Sequence, residues 1–211
     1  VAFDRTLGEG VPAVRSDHEQ GGRLIARQLI DSGARHVVLV GGPRSQFAEA
    51  TTFPTIRYHL TVERMLADAG IACDYVEAGI VADISAHEAT ARAIFERYSD
   101  VDAIVGSDLV ASVALQEALR RGISVPRDLQ IIAYDGTFMA ETAGMRLTAV
   151  RQDFPAVAAA LASRMDSQIA ADNGTTSAAA AEGGNAVAAN GGQSTSEDII
   201  SVTLIPGETT R

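Results

Sequence analysis

Three oxygen-bearing side chains at two places in the chain point to polar ligand chemistry. Ser107 and Asp108 follow the apolar run Ala103-Ile104-Val105-Gly106, and Asp135 follows a second run, Leu129 to Ala133. A hydroxyl beside two carboxylates can donate to and accept from several hydroxyls at once, which is what a polyhydroxylated ligand requires. A plainer reading stands beside it: Ser107 and Asp108 are good N-cap residues, and Asp135-Gly136 suits a turn. A turn, however, needs only one of Asp135 and Gly136.

The elements that must position these groups are legible around them. The segment from Asp102 to Thr137 reads as strand, helix, strand, with Leu109, Val110, Val113, Leu115 and Leu119 giving the helix an apolar face and Gly122 its stop. A right-handed crossover makes the two strands parallel, so both carboxyl ends open on one sheet edge. Open α/β sheets hold ligands there, and Ser107, Asp108 and Asp135 are expected to converge on one crevice.

The same alternation recurs on either side. His36 to Val40 reads as a buried strand closed by Gly41-Gly42-Pro43, followed by a helix over about 55–69 with Leu60, Met65 and Leu66 inward. Cys73 to Glu77 is a further strand. Ser85 is expected to cap a helix with Ala89, Ala93, Ile94 and Phe95 inward. Upstream, Val1-Ala2-Phe3 and Pro12-Ala13-Val14 are short strands, and Ser16 or Asp17 caps a helix carrying Leu24, Ile25, Leu29 and Ile30. This predicts an α/β fold, a doubly wound parallel sheet with helices on both faces. After Thr137 come a short strand at Leu147–Val150 and a helix capped by Asp153 with Pro155 in its first turn. Residues 171–197 are rich in Ala, Gly, Asn, Ser and Thr, and are expected to form a disordered surface insertion. Ile199 to Ile205 reads as one closing strand.

Composition narrows the function classes. The 211 residues carry a formal charge of −10, which argues against binding nucleic acid through bulk electrostatics. No apolar run approaches the ~18 residues of a membrane span, so no membrane partner is expected. The opening VAFDRTLGEG lacks the basic-then-apolar build of a secretory signal, and its start in mid-strand suggests that further sequence precedes it. Cys73, the only cysteine, excludes an internal disulfide and is read as a buried apolar residue in a reducing compartment. His18, His36, His59 and His87 are scattered singly, without metal-ligand spacing, and are expected to be solvated or capping; no metal and no cofactor is expected. Gly41-Gly42-Pro43 lacks the spacing of a phosphate loop and reads instead as a close backbone approach. Without a nucleophile elbow or a cysteine–histidine pair, a non-enzymatic role is expected.

With these residues laid out, the chain resembles the effector-binding region of the LacI/GalR (lactose-repressor) family of bacterial transcription regulators. The landmarks are FDR at 3–5, VRSDHEQGGRLIARQLIDSG at 14–33, HVVLVGGP at 36–43, RGISVPRDLQIIAYD at 121–135 and LTAVRQDF at 147–154. The resemblance implies a type I periplasmic-binding-protein-like fold holding a small molecule, usually a sugar, between two lobes, with the amino-terminal lobe incomplete here. It partitions the chain into 1–16 (a remnant of the amino-terminal lobe), 17–146 (the carboxyl-terminal lobe), 147–170 (crossover and amino-lobe helix), the insertion at 171–197, and 198–211 (closing strand). It implies ligand-facing roles for Asp4, Arg57, Ser107, Asp135 and Gln152. Departures from the family's pattern occur at Val81 and Thr61, where an aromatic is usual, and in a longer loop at 44–56 whose Phe47 or Phe53 is the candidate stacking ring. It further implies a cytoplasmic homodimer that binds operator DNA through an amino-terminal helix-turn-helix outside these residues. An exported sugar-binding transport component shares the fold and is the alternative.

Overall fold

The computed structural model describes residues 1–5, 7, 11–47, 55–78, 83–181 and 197–211, with backbone alone at Gln46 and 172–181. In chain order the strands are β1 (Ala2–Phe3), β2 (Ala13–Ser16), β3 (His36–Gly41), β4 (Ala72–Glu77), β5 (Ala103–Ser107), β6 (Gln130–Asp135), β7 (Thr148–Gln152), β8 (Glu197–Ile200) and β9 (Val202–Ile205). The helices are α1 (His18–Asp31), α2 (Ile56–Asp68), α3 (Ile84–Arg97), α4 (Asp108–Arg120), the short α5 (Phe138–Thr142) and α6 (Phe154–Ala181). Two compact units emerge: Val1–Ser16 with Asp153–Ile200, and Asp17–Thr51 with Thr55–Gln152 and Ser201–Arg211, as far as these are described.

The larger unit is built on a six-stranded sheet in the order β4-β3-β5-β6-β7-β9, parallel throughout except for β9, which runs antiparallel to β7. Helices cover both faces, which is why β3 reads as an unbroken apolar run. Val37 and Leu39 pack with Ile25 and Leu29 of α1 and with Val62 and Leu66 of α2. Val38 and Val40 pack on the other face with Ile94 of α3 and with Ala111 and Leu115 of α4. Each large side chain so buried contributes about 1.5–3 kcal/mol. The periplasmic-binding-protein-like, doubly wound α/β class expected from the sequence is the one observed.

Two helices turn a different face inward than the apolar pattern suggests. Leu60 of α2 is exposed, while Tyr58, His59, Thr61, Val62 and Leu66 are buried. In α3 the buried stripe is His87, Ala91 and Ile94, with Ala89 and Ala93 exposed, and the cap is Asp83 rather than Ser85: its side chain accepts from the Ala86 N–H at 3.2 Å. In both cases the true stripe contains histidine, which apolar counting leaves out. None of the four histidines is solvated; His18, His36, His59 and His87 are all buried. Cys73 is half-buried on the sheet's edge strand, and burial pushes its thiol up to about 12.

The smaller unit pairs β1, β2 and β8 in a parallel three-stranded sheet with α6 against it. Buried Arg15 binds Glu197 at 2.7 Å, and Arg164 of α6 binds Asp198 through two 2.6 Å hydrogen bonds. Two expectations need correction here. Ile199–Ile205 is not one strand: β8 pairs with β2, whereas β9 pairs with β7 of the larger sheet, so its halves satisfy their backbone groups with different partners. The stretch expected to be disordered from 171 instead continues α6 to Ala181, its last turn being the run 178–181 of alanine, the residue of highest intrinsic helix propensity. Residues 182–196 of that stretch lie outside the described residues.

Candidate ligand-binding site

Parallel strands β3, β5, β6 and β7 bring Gly41, Ser107, Asp135 and Gln152 to one edge of the larger sheet. A cavity of about 290 Å³ lies there, at the lower end of small-molecule sites. Ser107 and Asp135 both line it.

Ser107 ends β5 and caps α4, its Oγ accepting from the Val110 N–H at 3.4 Å. Capping uses the oxygen, so the hydroxyl hydrogen remains a donor. Asp135 ends β6 at φ 117°, a conformation L-residues seldom adopt, and its Oδ1 accepts from Gln152 Nε2 at 2.7 Å. Backbone strain of this kind persists where neighbours over-determine it. Those neighbours are identifiable. Gly136 has φ 63°, and a Cβ there would come within 2.5 Å of Arg151 Cα. The carboxylate of Asp108 accepts from the Gly136 N–H (3.1 Å), the Thr137 N–H (2.6 Å) and the Thr137 hydroxyl (2.7 Å). Asp108 is therefore not the third ligand-facing oxygen expected from the sequence. It is buried and holds the turn that aims Asp135.

The remaining expected residues that are described do not line the cavity. Gln152 is buried at the end of β7 and acts on Asp135. Arg57, half-exposed in the first turn of α2, pairs with Glu19 at 2.8 Å and is not among the residues lining the cavity. Phe47 packs edge-on against Tyr75, ring centroids 5.1 Å apart, and does not line it either. Phe53 and Val81 lie outside the described residues. Asp4, with φ 45°, follows β1 in the smaller unit.

Sequence reasoning missed the aromatic wall. Tyr58 and Tyr134 stack with centroids 4.0 Å apart and planes 5° from parallel, and Tyr134 Oη shares a 2.6 Å hydrogen bond with His18 Nδ1. Burial, reinforced by the charge of Asp135, raises the Tyr58 hydroxyl well above its ordinary value. His59 lies on Tyr58, centroids 3.8 Å apart, and runs so close to the β3 end that a Cβ on Gly41 would sit 2.6 Å from its ring. Gly41 is thus the close backbone approach expected of Gly-Gly-Pro. Burial lowers the His59 pKa to about 3, opposed by the Val40 backbone and assisted by the charge of Arg44. His87, from α3, completes the wall. The signal that could have found it is the i, i+4, i+7 stripe His87-Ala91-Ile94. Among the described residues, no group of three or more His, Cys, Asp or Glu side chains is placed to hold a metal ion, and no helix is long and apolar enough to cross a membrane.

Residues 26–185 match the periplasmic binding protein-like domain family. The chain is 29% identical over 158 residues to the sucrose operon repressor of Streptococcus mutans, covering 75% of this chain and 47% of that protein. It is 35% identical over 138 residues to the ribose operon repressor of Bacillus subtilis, covering 64% and 39%. It therefore spans about half the length, or less, of these curated relatives. Among solved structures, the transcriptional regulator CelR in complex with cellobiose superposes with a TM-score of 0.74 at 23% identity, over 98% of this chain and 57% of that one. A ribose operon repressor protein from Lactobacillus acidophilus does so with a TM-score of 0.76 at 19% identity, over 99% and 68%. The match over residues 26–185, made on a doubly wound sheet with a cavity at its strand ends, shows that the chain belongs to the periplasmic binding protein-like domain family.

Proposed function

We propose that this chain is the effector-binding region of a DNA-binding transcriptional regulator and that the cavity at the carboxyl edge of the larger sheet receives a sugar. The observation that carries the reading is the joint placement of Ser107 and Asp135 on one cavity at parallel strand ends, in a chain whose named relatives are sugar-operon repressors. Ser107 and Asp135 contact the ligand, Gln152 and Asp108 hold Asp135 in place, and Arg57 contributes only if it leaves Glu19. Repressor relatives favour a regulator over an exported transport component, and no catalytic role is assigned. The complete protein is cytoplasmic, forms a homodimer and binds operator DNA outside these residues. Ligand acts by differential affinity for two conformations, since a ligand binding both equally shifts nothing.

Fluorescence anisotropy of the complete protein on its own promoter DNA tests this. A sugar that changes DNA affinity, and does so less in Asp135→Ala, is the expected result. Sugar binding that leaves DNA affinity unchanged overturns the regulator reading.

A further inference from the structure

Two histidines line the cavity, His59 from α2 and His87 from α3. His59 is 6% exposed and His87 4%, and no ring nitrogen of either has a hydrogen-bond partner among the described residues. Buried polar groups are nearly always paired, and leaving one unpaired is costly. Four such nitrogens on one cavity wall form a cost the fold carries for something outside itself. A neutral imidazole presents one donor and one acceptor, so the pair offers two of each, which is the bonding capacity a hydroxylated ligand uses.

The charges around the cavity decide what sort of hydroxylated molecule fits. Asp135 is the one formally charged side chain among the described lining residues. Arginines near the cavity are already paired: Arg44, whose field reaches His59, with Glu63, Arg57 with Glu19, and Arg151, in register with Asp135, with Glu141. His59 stays neutral at physiological pH, because burial holds its pKa near 3. A phosphate or carboxylate would meet Asp135 with no free cation among the lining residues to offset it. Gly41 adds a structural sign, since only a glycine there leaves room for the His59 ring at the strand end.

We infer that His59 and His87 are specificity-determining residues that hydrogen-bond an uncharged sugar or polyol, and that the cavity discriminates against phosphorylated and acidic sugars. This rests on the effector-binding reading above and names the ligand class and the residues that read it.

The test uses the full chain with isotopically labelled histidine rings observed by NMR, alongside thermal-shift measurements. D-glucose, D-ribose, sucrose and cellobiose are compared with glucose phosphate, ribose phosphate and gluconate. The expected result is that at least one uncharged sugar raises Tm and moves the ring-nitrogen resonances of His59 and His87 but not His36, while the anionic set binds more weakly. His59→Leu and His87→Leu should each weaken that sugar about tenfold without lowering the Tm of the unliganded protein. An uncharged sugar that raises Tm while both rings stay silent overturns the inference and leaves the effector-binding reading standing. Tighter binding of an anionic sugar overturns the charge discrimination. No response to any member of the panel overturns both readings.

Discussion

The two edges of the larger sheet use histidine in opposite ways. At the amino edge, His36 is held on both sides, Nδ1 by Asp100 at 3.0 Å and Nε2 by Asp74 at 2.9 Å, and its own N–H donates to Asp102 at 3.0 Å. At the carboxyl edge, His59 and His87 are buried as deeply, and their ring nitrogens have no hydrogen-bond partner among the described residues. Burial alone would lower the His36 pKa, but its hydrogen bonds to Asp74 and Asp100 and their charges raise it; with no such partner, His59 falls to about 3. One edge is closed by internal pairing and serves stability. The other keeps polar capacity unspent, as expected of the binding role proposed for it, where function is bought with stability.

The largest effect that should follow is at the closed edge. Asp102 accepts from the backbone N–H groups of both Arg35 and His36 while 4% exposed, so Asp102→Ala strands buried donors and should cost about 2–3 kcal/mol in denaturant unfolding. Sugar affinity should be unchanged; a loss of affinity of similar size would erase the distinction between the edges. Next, Asp135→Ala should weaken sugar binding at least tenfold, about 1.4 kcal/mol, with little loss of stability. Calorimetry showing unaltered affinity would remove Asp135 from the site.

A closer comparison exchanges histidines. His36→Leu should destabilise by about 1 kcal/mol at mildly acidic pH, whereas His59→Leu should stabilise the unliganded chain by up to about 1 kcal/mol. Equal signs would show that the missing partners of His59 carry no cost. The smallest effect is in the pH dependence. His36 has a folded pKa above its ordinary 6.5, so its contribution is full below 6.5 and fades as pH rises through the folded value. His59 works the other way. As pH falls from 6.5 toward 3, the unfolded chain takes up a proton that the folded chain refuses, and stability declines. Stability curves of the two leucine variants should therefore depart from the parent in opposite directions on acidification.

Much of this framework was legible in the sequence. The parallel strands, their carboxyl edge and the presence there of Ser107 and Asp135 followed from apolar runs, caps and crossover handedness. What was not legible depended on treating histidine and tyrosine as if their polarity fixed their location. Leu60 looked like core and is exposed, because Tyr58, His59 and Thr61 turn inward at the cavity end of α2. Asp108 and Asp135 look alike in sequence, yet only backbone geometry shows that one carboxylate braces the turn carrying the other. Local pattern cannot reveal an unsatisfied group, since that is a property of the folded surroundings.

The Tyr58–Tyr134 stack gives the molecule a built-in optical signal. The chain has four tyrosines and no tryptophan, so nothing brighter masks tyrosine emission or its near-ultraviolet dichroism. Two of the four chromophores lie ring on ring in the cavity wall, where an entering molecule would alter their shared environment. Occupancy can thus be followed in the unlabelled protein, with no dye attached and no residue exchanged.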